Sequence, residues 1–182
     1  MKWIERVAWG LALVGLLFRM LHWPFGGLFT VLGFSTAATL YFPLGWLLFR
    51  GPGRKDQLLP LSLITGLVLS LTIIGILFKL QLWPRAEFNL MMGLGGCVVV
   101  LVAILGIHSR RPLAEPYFNA LRFRLLVIGS AGLLLYLVPT PTLIKATVGA
   151  DTERAHLLIR LYEAPGDTAA QRVLEELDHR GR

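Results

Sequence analysis

The chain has 182 residues, which suits one domain or a small bundle with a tail. Hydrophobic residues make up 55% of it and charged residues only 16%, whereas soluble domains average about 45–50% and about 25%. The excess forms long apolar runs broken by short polar joints, which is typical of transmembrane helices. This composition excludes a soluble globular domain and a disordered chain, and the single cysteine, Cys97, excludes a disulfide scaffold.

The net charge of +7 belongs to the apolar part of the chain. Residues 1–139 carry 12 basic and 4 acidic side chains, whereas residues 140–182 carry 6 basic and 7 acidic ones. Because basic residues beside membrane helices set their orientation, we interpret the excess as a topology signal and expect no nucleic-acid partner.

Four apolar runs predict four membrane spans, over about residues 4–21, 27–49, 58–82 and 88–107. The first run also resembles the start of a secretory signal peptide. It ends at Arg19 and His22 without a small-residue cleavage site, so we expect a retained helix.

A fifth, shorter run covers residues 125–138, after a mixed segment over about 113–121 that we expect at the membrane interface. Its 14 residues would extend about 21 Å as a helix, less than the roughly 30 Å of a hydrocarbon core. The run can span if the helix begins near Asn119 and if Arg122 and Arg124 extend toward the headgroups. A re-entrant segment is the alternative.

The positions of lysine and arginine predict the orientation. They concentrate at the N-terminus, in residues 50–55 and in residues 110–124, whereas the opposite side has Arg85 and Lys145 and two helix-end cations. Because cytoplasmic loops carry positive charge, we expect a cytoplasmic N-terminus and two Trp-Pro turns that face outward. The tail then lies outside if the fifth run spans, and in the cytoplasm if it re-enters.

The tail predicts two short amphipathic helices. The first covers about residues 152–163, and the second begins at a cap formed by Asp167 or Thr168 and ends near His179. We expect their apolar stripes to pack on each other, on the membrane or on a partner protein. The stripe residues are Ala155, Leu158, Ile159 and Tyr162 in the first helix, and Val173, Leu174 and Leu177 in the second.

The chain contains an internal repeat with an offset of 60 residues. Residues 15–24 align without gaps to residues 75–84, and Gly33 then aligns to Gly93. Each copy consists of an apolar helix, a basic residue, a Trp-Pro turn and a second apolar helix. Because proline ends a helix interior and tryptophan suits the headgroup interface, each copy predicts a helical hairpin, and the two hairpins should run in the same sense.

The repeat supplies the candidate functional side chains. Arg19 and Lys79 lie four residues before the tryptophans, where a cation can reach lipid phosphate or lean on the indole ring, and we favour this anchoring role over transport. His22 can titrate near neutral pH, but its counterpart is Leu82, and Glu87 can reach a basic neighbour. The candidates are Phe18, Arg19, His22, Trp23, Pro24, Phe78, Lys79, Trp83, Pro84 and Glu87.

Small residues at regular spacing predict faces on which helices approach each other closely. Residues 62, 66 and 70 are four apart on one predicted span, and residues 33 and 37 are four apart on another. The packing candidates are Gly33, Ala37, Ser62, Gly66, Ser70 and Gly93.

The run Phe18-Arg19-x-x-His22-Trp23-Pro24 resembles the N-terminal transmembrane hairpin of the gliding-motility GldL family, which has a similar F-K-x-x-H-W-P-G run between two spans. The second copy is less similar because it lacks the histidine. The resemblance covers about residues 10–35 and 70–95. It implies an inner-membrane hairpin in a proton-driven motor that works with a single-span partner. The family's motor uses a glutamate in the second span, where this chain offers only serine and threonine as polar groups.

The predicted fold is an all-α, polytopic membrane bundle with an amphipathic helical tail. We divide it into a first hairpin (1–56), a second hairpin (57–112), an interfacial segment with a fifth span (113–141) and the tail (142–182). This organisation predicts a multi-pass protein of the bacterial inner membrane.

We expect a non-enzymatic, GldL-like scaffold or accessory subunit that contacts membrane lipid and either further copies of itself or a membrane-protein partner through its tail. The alternative is a proton- or ion-coupled transporter or motor subunit that uses the turns of Arg19 with His22 and of Lys79 with Glu87. A membrane enzyme ranks last. The histidines are scattered and no metal-ligand spacing occurs, so we expect no catalytic residue, cofactor or metal.

Overall fold

A computed structural model gives the architecture of the chain. It describes residues 2–21, 23–49, 58–83, 85–109, 115–148, 152–164 and 166–180, and within these ranges all regular structure is helical. The chain forms two compact units, Met1–Leu137 and Val138–Arg182. The all-helical fold class predicted from the sequence is confirmed.

The first unit is a bundle around one central helix. Its elements are α1 (Lys2–Met20), α2 (Gly26–Tyr41), α3 (Gly45–Leu48), α4 (Leu59–Leu80), α5 (Ala86–His108) and α6 (Glu115–Leu137). α1 packs on α2 and α4 packs on α5, while α6 lies against both α4 and α5. α4 also contacts α2 and α3, and 67% of its apolar stretch is buried, against 28% for α5 and 22% for α6. α4 is therefore the core of the bundle, and α5 and α6 lie at its surface.

Three helices in the described ranges are long and apolar enough to cross a bilayer: α4, α5 and α6, with 22, 23 and 23 residues. Each extends about 33–35 Å, which matches a hydrocarbon core of about 30 Å. The outward face of α5 is apolar, with Val98, Val99 and Val102 more than half exposed, as a surface in contact with lipid requires. α2 is apolar but has only 16 residues, and α1 carries four charged residues, so the two further predicted spans stay predictions.

The second apolar run does not form the single helix expected over residues 27–49. α2 ends at Tyr41, and Phe42 is extended before Pro43, after which the chain makes only the short helix α3. The cause is Pro43, which lacks an amide hydrogen and disfavours helical geometry in the residue before it.

The fifth run forms a longer helix than the sequence indicated. α6 begins at Glu115, so residues 115–121 of the segment expected at the membrane interface are part of this helix, while residues 113 and 114 lie outside the described ranges. Pro116 falls in the first turn of α6, where the missing amide hydrogen has no intrahelical acceptor to lose. The 23 residues of α6 are therefore enough to cross the hydrocarbon core, whereas the 14 residues of the apolar run alone were not.

The second unit contains α7 (Thr140–Val148), α8 (Thr152–Glu163) and α9 (Thr168–Arg180). α8 packs on both α7 and α9. The sequence predicted no helix over α7, in which Pro141 occupies the first turn, where proline is tolerated.

The two predicted tail helices are present. The cap of the second is Asp167, whose Oδ1 accepts the amide hydrogens of Ala169 and Ala170 at 3.1 Å. Ala155 and Ala170 are buried within this unit, whereas the stripe residues Tyr162 and Val173 remain about 40% exposed. The apolar stripes are thus only partly covered by packing within the unit.

Candidate functional site

The first Trp-Pro turn is a tight connection between α1 and α2. The amide of Trp23 donates to the carbonyl oxygen of Phe18 at 2.8 Å, and the two rings contact edge to face with centroids 5.2 Å apart. Phe25 then adopts a left-handed conformation with φ of 67°. Gly26 lies so close to the backbone of Arg19 that a Cβ would collide with it, which brings the returning helix against the outgoing one.

The second Trp-Pro turn, between α4 and α5, repeats this geometry. The amide of Trp83 donates to the carbonyl oxygen of Phe78 at 2.8 Å, and the ring centroids lie 5.1 Å apart. Arg85 is left-handed with φ of 60° and lies 60 positions after Phe25. Equivalent residues therefore make equivalent contacts in the two turns.

The helix contacts behind the two turns also correspond. A Cβ on Gly33 would collide with Ala12, and a Cβ on Gly93 would collide with Thr72. Gly93 lies 60 positions after Gly33, and Thr72 lies 60 positions after Ala12. The same relation holds for a second set of close contacts, Gly15 with Thr30 and Gly75 with Leu90.

Gln81 connects the two turns. Its Oε1 accepts a hydrogen bond from Nη1 of Arg19 at 2.9 Å, and its Nε2 donates to the carbonyl oxygen of Gly27 at 3.1 Å. The residue at the corresponding position of the first copy is Leu21. The two aligned segments thus differ at this position, where the first has an apolar leucine and the second has the glutamine that joins the two turns.

Lys79 is 2% exposed and points to α6. Its Nζ donates to the carbonyl oxygen of Tyr136 at 3.2 Å, lies 5.7 Å from the centroid of that ring, and is 3.7 Å from Oε1 of Glu87. The cation for which the sequence offered lipid phosphate or the indole ring of its own turn thus contacts Tyr136, because α6 packs over this side of α4.

The other motif residues divide by exposure. Trp23 and Trp83 are 56% and 42% exposed, as membrane-interface anchors require, and Pro24 is also exposed. Phe18 and Phe78 are half-buried beneath the tryptophans. His22 and Pro84 lie outside the described residues.

At the other end of the bundle, Glu5, Tyr41 and Arg124 join three helices. The hydroxyl of Tyr41 donates to Oε1 of Glu5 at 2.6 Å. Nε and Nη2 of Arg124 donate to the two carboxylate oxygens of Glu5, each at 3.0 Å. The guanidinium also lies 5.5 Å from the ring centroid of Phe49. A bidentate pair of this kind combines charge with fixed orientation, so it holds α1, α2 and α6 together.

The sequence reasoning missed this cluster. From the sequence, Arg124 was considered only as a side chain that would extend toward the headgroups if the fifth run spans, but it points inward, where it pairs with the carboxylate of Glu5. A signal was present, since Glu5 is the only acidic residue among the first 55. Arg122 differs from Arg124: its Nε and Nη2 are buried without a hydrogen-bond partner in the described part of the chain.

All six predicted packing residues are buried: Gly33, Ala37, Ser62, Gly66, Ser70 and Gly93. Gly66 brings α4 against the end of α2, where a Cβ would collide with the carbonyl oxygen of Tyr41. Ser62 joins α4 to α6, because its Oγ lies 2.8 Å from the hydroxyl of Tyr117. Small residues therefore mark the faces on which helices of this unit approach each other closely.

No group of three or more histidine, cysteine, aspartate or glutamate side chains comes together as a metal site within the described ranges. Cys97 is buried at the face between α4 and α5, with its Sγ 3.4 Å from Oγ1 of Thr72. The arrangement described above can therefore link helices and anchor them at an interface.

Comparison with protein-family models, curated proteins and solved structures finds no match to this chain. The function is therefore argued from the geometry of the turns and of the two ends of the bundle.

Proposed function

We propose that the chain is a non-enzymatic, multi-pass scaffold or accessory subunit of a bacterial inner-membrane complex, built from two tandem GldL-like hairpins and a fifth spanning helix. The observation that carries this proposal is the use of charged side chains as links between helices. Glu5 binds Arg124 across α1 and α6, and Arg19 binds Gln81 across the two turns. Such links fix a bundle rather than carry an ion through it.

The tandem hairpin arrangement is supported by the corresponding turns. The amide of each tryptophan donates to the carbonyl oxygen five residues earlier, and a left-handed residue follows two positions later. The glycine contacts behind the turns lie at the same offset of 60 residues. Two independent hairpins would not need to share both sets of contacts.

The proposed orientation has a cytoplasmic N-terminus and both Trp-Pro turns outside. It rests on the basic residues that flank the opposite helix ends and on the exposed tryptophans, which suit a headgroup region.

The tail is the proposed partner surface. Val173 on α9 is 40% exposed, in a helix whose other outward residues are mostly polar. Tyr162 on α8 is 41% exposed as well, and partly exposed apolar stripes on two short amphipathic helices are suited to contact with another protein.

Isolation of the tagged full chain from membranes tests the scaffold role. The variant Val173→Asp should lose a protein that the wild type retains, because the aspartate places a charge on the apolar stripe. Arg172→Ala changes the net charge by the same amount on the same helix and should retain it. If both variants recover the same proteins as the wild type, the tail is not the partner surface.

The alternative is a proton- or ion-coupled transporter or motor subunit. The observation in its favour is Lys79, a cation that is 2% exposed and lies 3.7 Å from the carboxylate of Glu87. Liposomes containing the purified chain distinguish the two functions. The scaffold proposal predicts no pH- or potential-dependent ion flux above that of empty liposomes, whereas flux that His22→Ala abolishes would establish the alternative.

A further inference from the structure

We propose that a groove between α1 and α6 binds one acyl chain of an anionic phospholipid from the leaflet that contains the bundle's N-terminal end. The groove has a volume of about 740 Å³, within the about 300–1,000 Å³ of typical ligand pockets. One wall includes Leu13 and Leu16 of α1, and the other includes Val127 and Ala131 of α6. This inference rests on the membrane placement proposed above.

The groove exists because α1 and α6 pack on different neighbours. α1 lies on α2, whereas α6 lies on α4 and α5. The floor between them is formed by buried side chains of the underlying helices, including Phe34 of α2 and Ile76 of α4. At one end, the ion pair of Glu5 with Arg124 joins the walls. The groove is therefore a gap at the bundle surface that other side chains do not fill.

The lining favours an apolar occupant over water. Its polar side chains are at one end, and beyond them the walls and floor are apolar. An apolar cavity stays dry in protein interiors, and an empty one forfeits the dispersion contacts of its walls. Leu13 and Val127 are 61% and 50% exposed on the rim, so the groove opens sideways to the surroundings. In a bilayer those surroundings are hydrocarbon chains.

The length of the groove favours an acyl chain over a helix. Along α1 the lining extends from Glu5 to Leu16, and 11 steps at the helical rise of about 1.5 Å per residue give a length of about 16 Å. One leaflet contributes about 15 Å of the hydrocarbon core, whereas a spanning helix needs about 30 Å of contact surface. The groove therefore matches the depth of one lipid chain.

The charge at the groove's end favours an anionic headgroup. Arg6 lines this end and is exposed, next to the ion pair of Arg124 with Glu5. Two guanidinium groups against one carboxylate leave one positive charge, and a guanidinium binds phosphate oxygens through charge-assisted hydrogen bonds. A lipid with its chain in the groove would thus place its phosphate beside Arg6.

Native mass spectrometry of the detergent-purified full chain, supplied with phosphatidylglycerol or phosphatidylcholine, tests the proposal. The wild type should retain one phosphatidylglycerol in preference to phosphatidylcholine. Arg6→Gln should weaken that retention about fivefold, as expected for one cation near a membrane surface. Arg85→Gln, which removes an exposed cation at the opposite end, should leave it unchanged. Equal retention of both lipids by the wild type would contradict the headgroup assignment.

A groove-filling variant tests the chain-binding part. Ala131→Phe projects a ring into the groove and should abolish lipid retention, whereas Val99→Phe, on the exposed face of α5, should not. If Ala131→Phe retains lipid like the wild type, or if the wild type instead forms a lipid-free dimer that Ala131→Phe dissociates, the proposal is wrong.

A second measurement does not depend on a substituted groove. In a variant with Trp9 as its only tryptophan, lipids with dibrominated acyl chains should quench the fluorescence more strongly than lipids brominated at the headgroup, because the Trp9 ring lines the groove and contacts Phe34 in its floor. Equal quenching would overturn the proposal. A chain that stays in membranes but retains no lipid overturns the lipid site alone, whereas a chain soluble without detergent also overturns the proposed membrane function.

Discussion

Glu5 shows how much one side chain contributes to this bundle. Its two carboxylate oxygens accept hydrogen bonds from Nε and Nη2 of Arg124 and from the hydroxyl of Tyr41, and its side chain is only 14% exposed. A carboxylate removed from water needs such partners, because burial alone would disfavour its charged form. The same residue ties the first helix to the last one of the unit.

Replacing Glu5 should therefore destabilise the bundle. Glu5→Gln leaves the Arg124 guanidinium without its counter-charge and should lower the free energy of unfolding by about 2–4 kcal/mol. The midpoint of unfolding by sodium dodecyl sulfate in mixed micelles measures the change. Glu115→Gln, at an exposed position, is the control, and equal midpoints for the two variants would contradict a structural role for Glu5.

Gly66 supports a second prediction at the residue scale. A Cβ there would meet the carbonyl oxygen of Tyr41, so Gly66→Ala should cost about 1–3 kcal/mol through a forced backbone shift. Gly95 has open space around its Cβ position, so Gly95→Ala should be neutral or stabilise α5 by up to about 1 kcal/mol through helix propensity. The same titration measures both, and a Gly66→Ala variant as stable as the wild type would exclude close packing at this contact.

At the scale of elements, the ends of the helices follow local chemistry. Pro43 ends the second apolar run early, whereas Pro116 and Pro141 are tolerated in first turns. The sequence predicted a single span through Pro43 and no helix across Pro116 or Pro141. The prediction was wrong at Pro43, because a proline within a run disturbs the helical geometry of the residue before it.

The cap of α9 predicts a pH dependence of that element. The backbone amide of Ala170, with further contributions from Arg160 and the amide of Ala169, lowers the pKa of Asp167 below its usual value of 3.8. The charged cap therefore stabilises α9 above the pKa of the unfolded chain, and this stabilisation is lost as the pH falls through the lower folded pKa. Hydrogen-exchange protection of residues 168–180 in the full chain, corrected for intrinsic rates, should fall in this acidic range.

Two variants of Asp167 separate the charge from the cap. Asp167→Asn retains a capping oxygen but cannot titrate, so protection should become independent of pH in that range. Asp167→Ala should reduce protection at neutral pH as well. If Asp167→Asn keeps the full acid response, another group is responsible for it.

At the scale of the whole molecule, the proposed tandem hairpins predict that both Trp-Pro turns face the same side of the membrane. Phe25 and Arg85 are the corresponding left-handed residues of the turns, and both are exposed. In a Cys97→Ser background, Phe25→Cys and Arg85→Cys should both react with a membrane-impermeant maleimide from outside intact cells. Trp3→Cys, at the exposed N-terminal end, should react only after lysis. Labelling of positions 25 and 85 from opposite sides would contradict the parallel repeat.

The sequence by itself determined the helical class, the apolar composition of α4, α5 and α6, and the positions of the two tail helices. These depend on local patterns: hydropathy over about 20 residues, turn residues and a capping aspartate. The burial of the packing candidates could also be anticipated, since small residues at a spacing of four share a helix face.

Tertiary structure alone decided which charges meet and where the groove lies. Glu5 and Arg124 are 119 positions apart in the sequence. Lys79 contacts Tyr136, and not the tryptophan of its own turn, because α6 packs beside α4. The similarity of residues 15–24 and 75–84 did not show how the two turns contact each other. That contact is made by Gln81, which has leucine as its counterpart in the first segment. Contacts of this kind follow from the arrangement of whole helices, and hydropathy, which records only how apolar each segment is, does not specify which faces pair.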